Sequence, residues 1–113
     1  MITAVDARPQ RTDVWAYAGD DLTLTLTCSD GAGNPVDFTG DVIAAQVRDA
    51  IGTLRASFAV SVTGNVITLV LGHAATAALP LGALWDCQQT DGSGLVTTLI
   101  TGWIRTTPQV TQP

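Results

Sequence analysis

The chain has 113 residues, enough for one ordinary domain and too few for two separate cores. Hydrophobic residues make up 46% and charged residues only 13%, which excludes intrinsic disorder and predicts a folded unit with sparse surface charge. The net charge of −5, from ten Asp, no Glu, five Arg and no Lys, opposes phosphate binding, so no nucleic-acid partner is expected.

The N-terminal arm, 1–11, alternates only weakly and carries Arg8, Pro9 and Arg11. It is expected to stay outside the core and to order against a neighbour. A first strand is predicted over 12–18. The clearest alternation follows in Leu22-Thr23-Leu24-Thr25-Leu26-Thr27-Cys28, where the leucines and the cysteine face one way and the threonines the other. That is the pattern of a half-buried strand with its apolar set in the core. It stops at Ser29-Asp30-Gly31-Ala32-Gly33-Asn34-Pro35, residues that accept positive φ, bond their own backbone or fix φ. Asp30 and Asp37 flank this turn, but the spaced carboxylates and final Glu of a calcium loop are missing. The preferred reading is a turn held by Asp side chains, with a weak cation site as the alternative; no metal is expected.

Further strands are predicted over 42–48, 54–62 and 66–71, the last two joined by a tight turn at Gly64-Asn65. Only 73–79 reads as helix, and Pro80 with Gly82 confines it to one or two turns, so it serves as a crossover. His73, the sole histidine, has no Cys, Asp or Glu at ligand spacing and is assigned a surface or capping role. A lone imidazole fits neither a zinc hydrolase nor a serine hydrolase, so no catalytic residue and no cofactor are expected, and the chain is read as non-enzymatic.

The last two strands, 84–90 and 96–105, flank Asp91-Gly92-Ser93-Gly94. By parity Trp103 shares a face with Leu95, Leu99 and Arg105, while Val96, Ile100 and Ile104 occupy the other. Both faces are apolar, and a sandwich buries one, so the other is expected to meet another subunit. The predicted interface comprises Trp103, Arg105, Leu99 and Leu95, with Arg8 and Arg11 of the first arm and Val110 of a C-terminal arm, 106–113. Trp15 and Trp85 are read as core anchors.

Seven short strands with turn signals between them predict an all-β, seven-stranded antiparallel β-sandwich of immunoglobulin-like connectivity over 12–105, with one short helical crossover. Cys28 and Cys87 fall on the second and sixth strands, the positions bridged in antibody domains, although the third-strand tryptophan of those domains is absent. In a reducing cytoplasm a buried pair of thiols is the preferred reading, and a disulfide the alternative. No run of about 18 apolar residues exists to span a bilayer, and the start of the chain lacks a basic-then-apolar signal pattern. A soluble protein made in the cytoplasm, without a membrane partner, is expected.

The order of these elements is familiar as a whole. Trp15 precedes Gly19-Asp20-Asp21, an alternating strand, Asp30-Gly31 and Pro35-Val36-Asp37-Phe38-Thr39-Gly40. Then come Gly64-Asn65-Val66-Ile67-Thr68-Leu69, Thr76, Leu79-Pro80-Leu81-Gly82, Trp85-Asp86, Asp91-Gly92 and Leu99-Ile100-Thr101-Gly102. Over about 14–111 this resembles the immunoglobulin-like domain at the N-terminus of phage baseplate upper proteins and related stand-alone virion proteins. The resemblance implies a structural protein of a tailed phage, present in several copies in the virion and assembled in the host cytoplasm. Its partners would be other phage structural proteins, with no catalytic site and no small-molecule substrate. A minor tail protein of the tail tip or baseplate, acting as an assembly adaptor, is the first expectation. A capsid decoration or head-surface protein of the same fold is the second. A carbohydrate-binding module contacting the host envelope is the third, and it requires a row of exposed aromatics on one face.

Overall fold

The alternating Leu-Thr segment forms an edge strand, and the rest of the chain wraps two sheets around the apolar side it presents. A computed structural model describes residues 10–30 and 32–108. In chain order the strands are β1 (Gln10–Arg11), β2 (Val14–Ala18), β3 (Leu22–Thr27), β4 (Val42–Arg48), β5 (Leu54–Ser57), β6 (Ala59–Thr63) and β7 (Val66–Leu71). A short helix, α1 (His73–Ala77), precedes β8 (Gly82–Thr90) and β9 (Val96–Pro108). The larger sheet has the order β1-β9-β8-β4-β5, with β2 also on β9, and the smaller sheet has the order β3-β7-β6.

Both sheets feed one apolar cluster. Ile67, Leu69 and Leu71 of β7 meet Val47, Ala83, Trp85, Cys87 and Ile104 of the larger sheet. Leu22, Leu24, Leu26 and Cys28 pack against this cluster as the alternation predicts. They remain half-buried because β3 is the border of its sheet, with a neighbour on one side only.

Four features depart from the sequence-based expectation. First, pairing is not antiparallel throughout: β1 and β2 both run parallel to β9, in the registers Gln10↔Ile100 and Val14↔Ile104. Period-two alternation is the same for either direction, so the sequence carried no signal for it. Second, the expected strand 54–62 divides at Phe58, with β5 in the larger sheet and β6 in the smaller. The Phe58 N–H donates to the Ala45 carbonyl at 2.9 Å, and its buried ring meets Trp85 at 5.9 Å between centroids, tilted by 60°. The ring thereby fills the corner where the chain passes between sheets.

Third, the β8–β9 register slips between Cys87 and Gln88: Cys87 pairs with Ile100 and Gln88 with Thr98, so Leu99 is the extra residue of a bulge. Leu99 and Ile100 both pack against the core, which removes Leu99 from the outer face assigned to it. Fourth, the arms are shorter than expected, since Gln10–Arg11 belongs to a sheet and β9 continues to Pro108 with Thr106 buried. The predicted interface residues Arg8 and Val110 lie outside the described residues.

The helix, shorter than the predicted 73–79, acts as a clamp on the β2–β3 turn. The buried Thr76 hydroxyl donates to the Asp20 carbonyl at 2.7 Å and accepts from the Gly19 N–H at 3.0 Å. No described helix is long and apolar enough to cross a membrane.

Candidate interaction surface

Buried Gly102, Ile104 and Thr106 fix the inward parity of β9, so Trp103 and Arg105 stand on the outer face of the larger sheet. Trp15 pairs with Arg105 and Tyr17 with Thr107, which places both β2 aromatics on that face, while Leu84 pairs with Trp103. Trp15 is 71% exposed and Trp103 40%. Only Trp85, 2% exposed, is the core anchor expected of a tryptophan. Trp15 is thus a surface residue and not the core anchor that the sequence predicts. In Val-Trp-Ala-Tyr-Ala the small residues face inward, where α1 packs against β2 and leaves little room, and the large rings face out.

The surface is an aromatic ladder interleaved with guanidinium groups. Arg105 lies 4.4 Å from the Trp103 ring centroid and 5.6 Å from that of Trp15, and Arg11 lies 4.8 Å from Trp103. Each such contact contributes roughly 0.5–1 kcal/mol at an exposed site. Asp13 joins the array from below: its Oδ1 accepts the Trp103 N–H at 2.9 Å and meets Arg11 at 3.2 Å. The Trp103 N–H, and then Arg11 and Arg105, hold the Asp13 carboxyl below the usual carboxylate value. Arg48 shares this face through the row Arg48–Leu84–Trp103 and is tied to the Gly52 carbonyl and the Gln46 side chain, each at 2.9 Å. Three of the four described arginines thus gather on one face of an acidic protein, although in sequence they are scattered.

Beside Trp103 the face is hollowed. Two adjoining cavities, of about 290 and 230 Å³, share Ala50 and Leu84 as floor; Arg48, Asp49 and Asp86 border one, Trp103 and Arg105 the other. Asp49 is engaged by Arg55 at 2.9 Å. The Asp86 carboxyl is pushed up by burial, an effect that Arg48 partly offsets.

The structure brings together Trp103, Arg105 and Arg11 of the predicted interface. Leu99 is turned inward, and Leu95 lies in the β8–β9 loop, 66% exposed, outside the strand that was to carry it. Tyr17 and Leu84 went unrecognised, and for Tyr17 the shared parity with Trp15 was a usable signal. Cys28 and Cys87 are both free thiols; burial raises each, and Cys87 reaches about 11 with Cys28 and Asp86 as further contributors. His73 is exposed at the surface and is itself capped: its backbone N–H donates to Asp21 Oδ1 at 2.7 Å, 52 positions away, and its Nδ1 lies 3.1 Å from the same oxygen. Among the described residues no group of three or more His, Cys or Asp is placed to hold a metal ion.

No protein-family model matches the chain, and no curated protein sequence matches it.

Proposed function

We propose that this chain is an immunoglobulin-like structural domain of a tailed-phage virion, a tail-tip or baseplate component that works as an assembly adaptor through protein–protein contacts. The observation that carries the reading is the outer face of the larger sheet, where exposed Trp15, Tyr17, Leu84 and Trp103 surround Arg105 and Arg11. Trp, Tyr and Arg are the residue types that dominate interface hot spots, and a solitary domain has no need to keep such a cluster in water.

The immunoglobulin-like part is supported by connectivity. A β3-β7-β6 sheet faces a β9-β8-β4-β5 sheet, the N-terminal strands lie parallel on the last, and the chain passes repeatedly between the sheets, most directly at Phe58 between β5 and β6. Trp85, two residues before Cys87, turns inward and donates from Nε1 to the Thr12 carbonyl at 3.0 Å. The phage assignment itself rests on the sequence resemblance.

A carbohydrate-binding role is the second reading, favoured by the aromatics on one face. It ranks lower because two guanidinium groups already lie over the Trp103 ring, and a sugar needs an open ring face to stack on. The test is incorporation into phage particles measured beside thermal melting for Trp103→Ala and Trp15→Ala. Both variants are expected to weaken assembly by more than about 1 kcal/mol while melting close to the parent protein. A stability loss of roughly 3–5 kcal/mol would mark Trp103 as core instead. Normal melting with normal incorporation of both variants would refute the adaptor role, and Trp103-dependent retention on envelope glycans would favour the second reading.

A further inference from the structure

The smaller sheet ends on a strand edge that has no partner among the described residues. β3 pairs with β7 alone, in an unbroken register from Leu22↔Leu71 to Thr27↔Val66. The Cys28 N–H, next in that register, donates to the Asn65 carbonyl at 2.9 Å. Backbone groups alternate in direction along an antiparallel strand, so those of Leu22, Leu24 and Leu26 also point at β7, and those of Thr23, Thr25 and Thr27 point outward. The complement of such a row of N–H and C=O groups is another extended strand. Strand edges that stay single carry a charge, a proline or a bulge that blocks pairing, and Leu22–Thr27 has none of these. By contrast β5, a border of the larger sheet, has only four residues, carries Arg55 and adjoins a register shift at Val47/Arg48.

We propose that two copies of the chain pair β3 to β3, antiparallel, with Leu24 on the two-fold axis, and so join their smaller sheets into one continuous sheet. The sequence selects a second copy as the occupant, because Leu22-Thr23-Leu24-Thr25-Leu26 is a palindrome and reads the same in either direction. Antiparallel pairing centred on Leu24 sets Leu opposite Leu on the inner face and Thr opposite Thr on the outer face, with Thr23 and Thr25 of the two copies hydrogen-bonded through their backbones. The half-buried leucines thereby gain the neighbour they lack on the open side. Charge then fixes the register. Pairing centred on Thr25 would oppose Asp20 to Asp30, whereas pairing centred on Leu24 sets Asp20 opposite Cys28 and Asp21 opposite Thr27, with no two carboxylates face to face. The contact is isologous and closes at two copies. It lies in the sheet that does not carry the aromatic ladder, so the dimer leaves that surface open to a different partner.

Sedimentation velocity over a concentration series tests it on the full chain, comparing the wild type with Thr25→Pro, and circular dichroism checks that the variant folds. The Thr25 N–H points away from β7, so proline there removes a donor from the contact between copies and none from the ladder within one. The wild type is expected to pass from monomer to dimer and no further, with little response to salt because the paired strands are uncharged, and Thr25→Pro to stay monomeric. A second measurement does not depend on the proline being tolerated. In a Cys28→Ser background, chains with Thr23→Cys and chains with Thr25→Cys are mixed and oxidised. Pairing centred on Leu24 sets these positions opposite each other, about 5.5 Å apart at Cα and within disulfide reach, while like positions are diagonal neighbours about 7–8 Å apart. The mixed disulfide should therefore exceed either homodimer several-fold. A wild type that stays monomeric at every concentration, a folded Thr25→Pro that associates as the wild type does, or a mixed disulfide no more frequent than random pairing would each overturn the inference. Dimerisation that appears only after residues 1–9 are removed would assign the edge to the chain's own arm and overturn it as well.

Discussion

Gly102 lies directly beneath the backbone of the N-terminal strand. A Cβ at this position would collide with the Thr12 carbonyl oxygen and stand 2.6 Å from its carbon. That carbonyl accepts the Trp85 Nε1 proton, the Thr12 N–H donates to the Thr101 carbonyl at 2.9 Å, and Asp13 accepts the Trp103 N–H. The missing side chain thus lets the chain cross close over β9 between its two parallel segments, and the crossing brings Arg11 to Trp103. Gly102→Ala is expected to cost about 3 kcal/mol, the upper part of the range for forcing a methyl into packed structure. The corresponding fall in melting temperature is about 10 °C or more, read by thermal circular dichroism. A variant melting within a degree of the parent would show that the strand crosses elsewhere.

Three loops share one construction. Asp30-Gly31-Ala32-Gly33-Asn34, Asp49-Ala50-Ile51-Gly52-Thr53 and Asp91-Gly92-Ser93-Gly94-Leu95 each place Asp first and Gly fourth. The fourth residue has φ of 85°, 89° and 88°, a region in which a side chain is strained. In every case Asp Oδ1 accepts the N–H groups two and four positions on, and the first and fifth residues bond through their backbones. Asp and Gly at this spacing form a turn signal that recurs three times in the sequence, and all three copies are loops held by their carboxylates. The Asn34 N–H, the Thr53 N–H and the Ser93 hydroxyl are the leading causes that hold Asp30, Asp49 and Asp91 below 3.8. A carboxyl lowered in the folded state stabilises the fold above its unfolded value and ceases to do so as pH falls through the lower folded value. Carboxyl-carbon NMR titration should therefore give midpoints below 3.8 for all three, with loop amide signals shifting in the same acid window. Midpoints at or above 3.8 would mean that these bonds do not persist in solution.

Across the molecule, the two sheets share one buried cluster, in which the Phe58 ring meets Trp85 and Cys87 is fully enclosed. Cys87 has no exposed surface, and its thiol is pushed up to about 11, so the reactive thiolate is scarce and out of reach until the sheets separate. Cys28, at the end of β3, is half-buried. Alkylation of the native protein is expected to label Cys28 first, with Cys87 labelled at a rate that tracks global opening and falls when the fold is stabilised. Equal rates would contradict the shared core. Failure of either thiol to react after denaturation without reductant would establish a disulfide in its place, worth on the order of 2 to 4 kcal/mol.

The sequence by itself determined the local choices. Leu-Thr alternation made β3 a half-buried strand, Gly, Asp and Asn set the turns, and Pro80 confined the helix, because each depends on residues within a turn's reach of one another. Trp103 and Arg105 were legible as surface for the same reason, being two apart on one strand. Only the tertiary structure decided which strands pair and in what direction, since alternation records period and not partner. A single extra residue at the Cys87–Gln88 bulge reversed the face of Leu99, and a corner at Phe58 divided one predicted strand between two sheets. The aromatic ladder was invisible for the same physical reason: Asp13 and Trp103 stand 90 positions apart, and only the parallel docking of β2 on β9 brings Trp15 to Arg105.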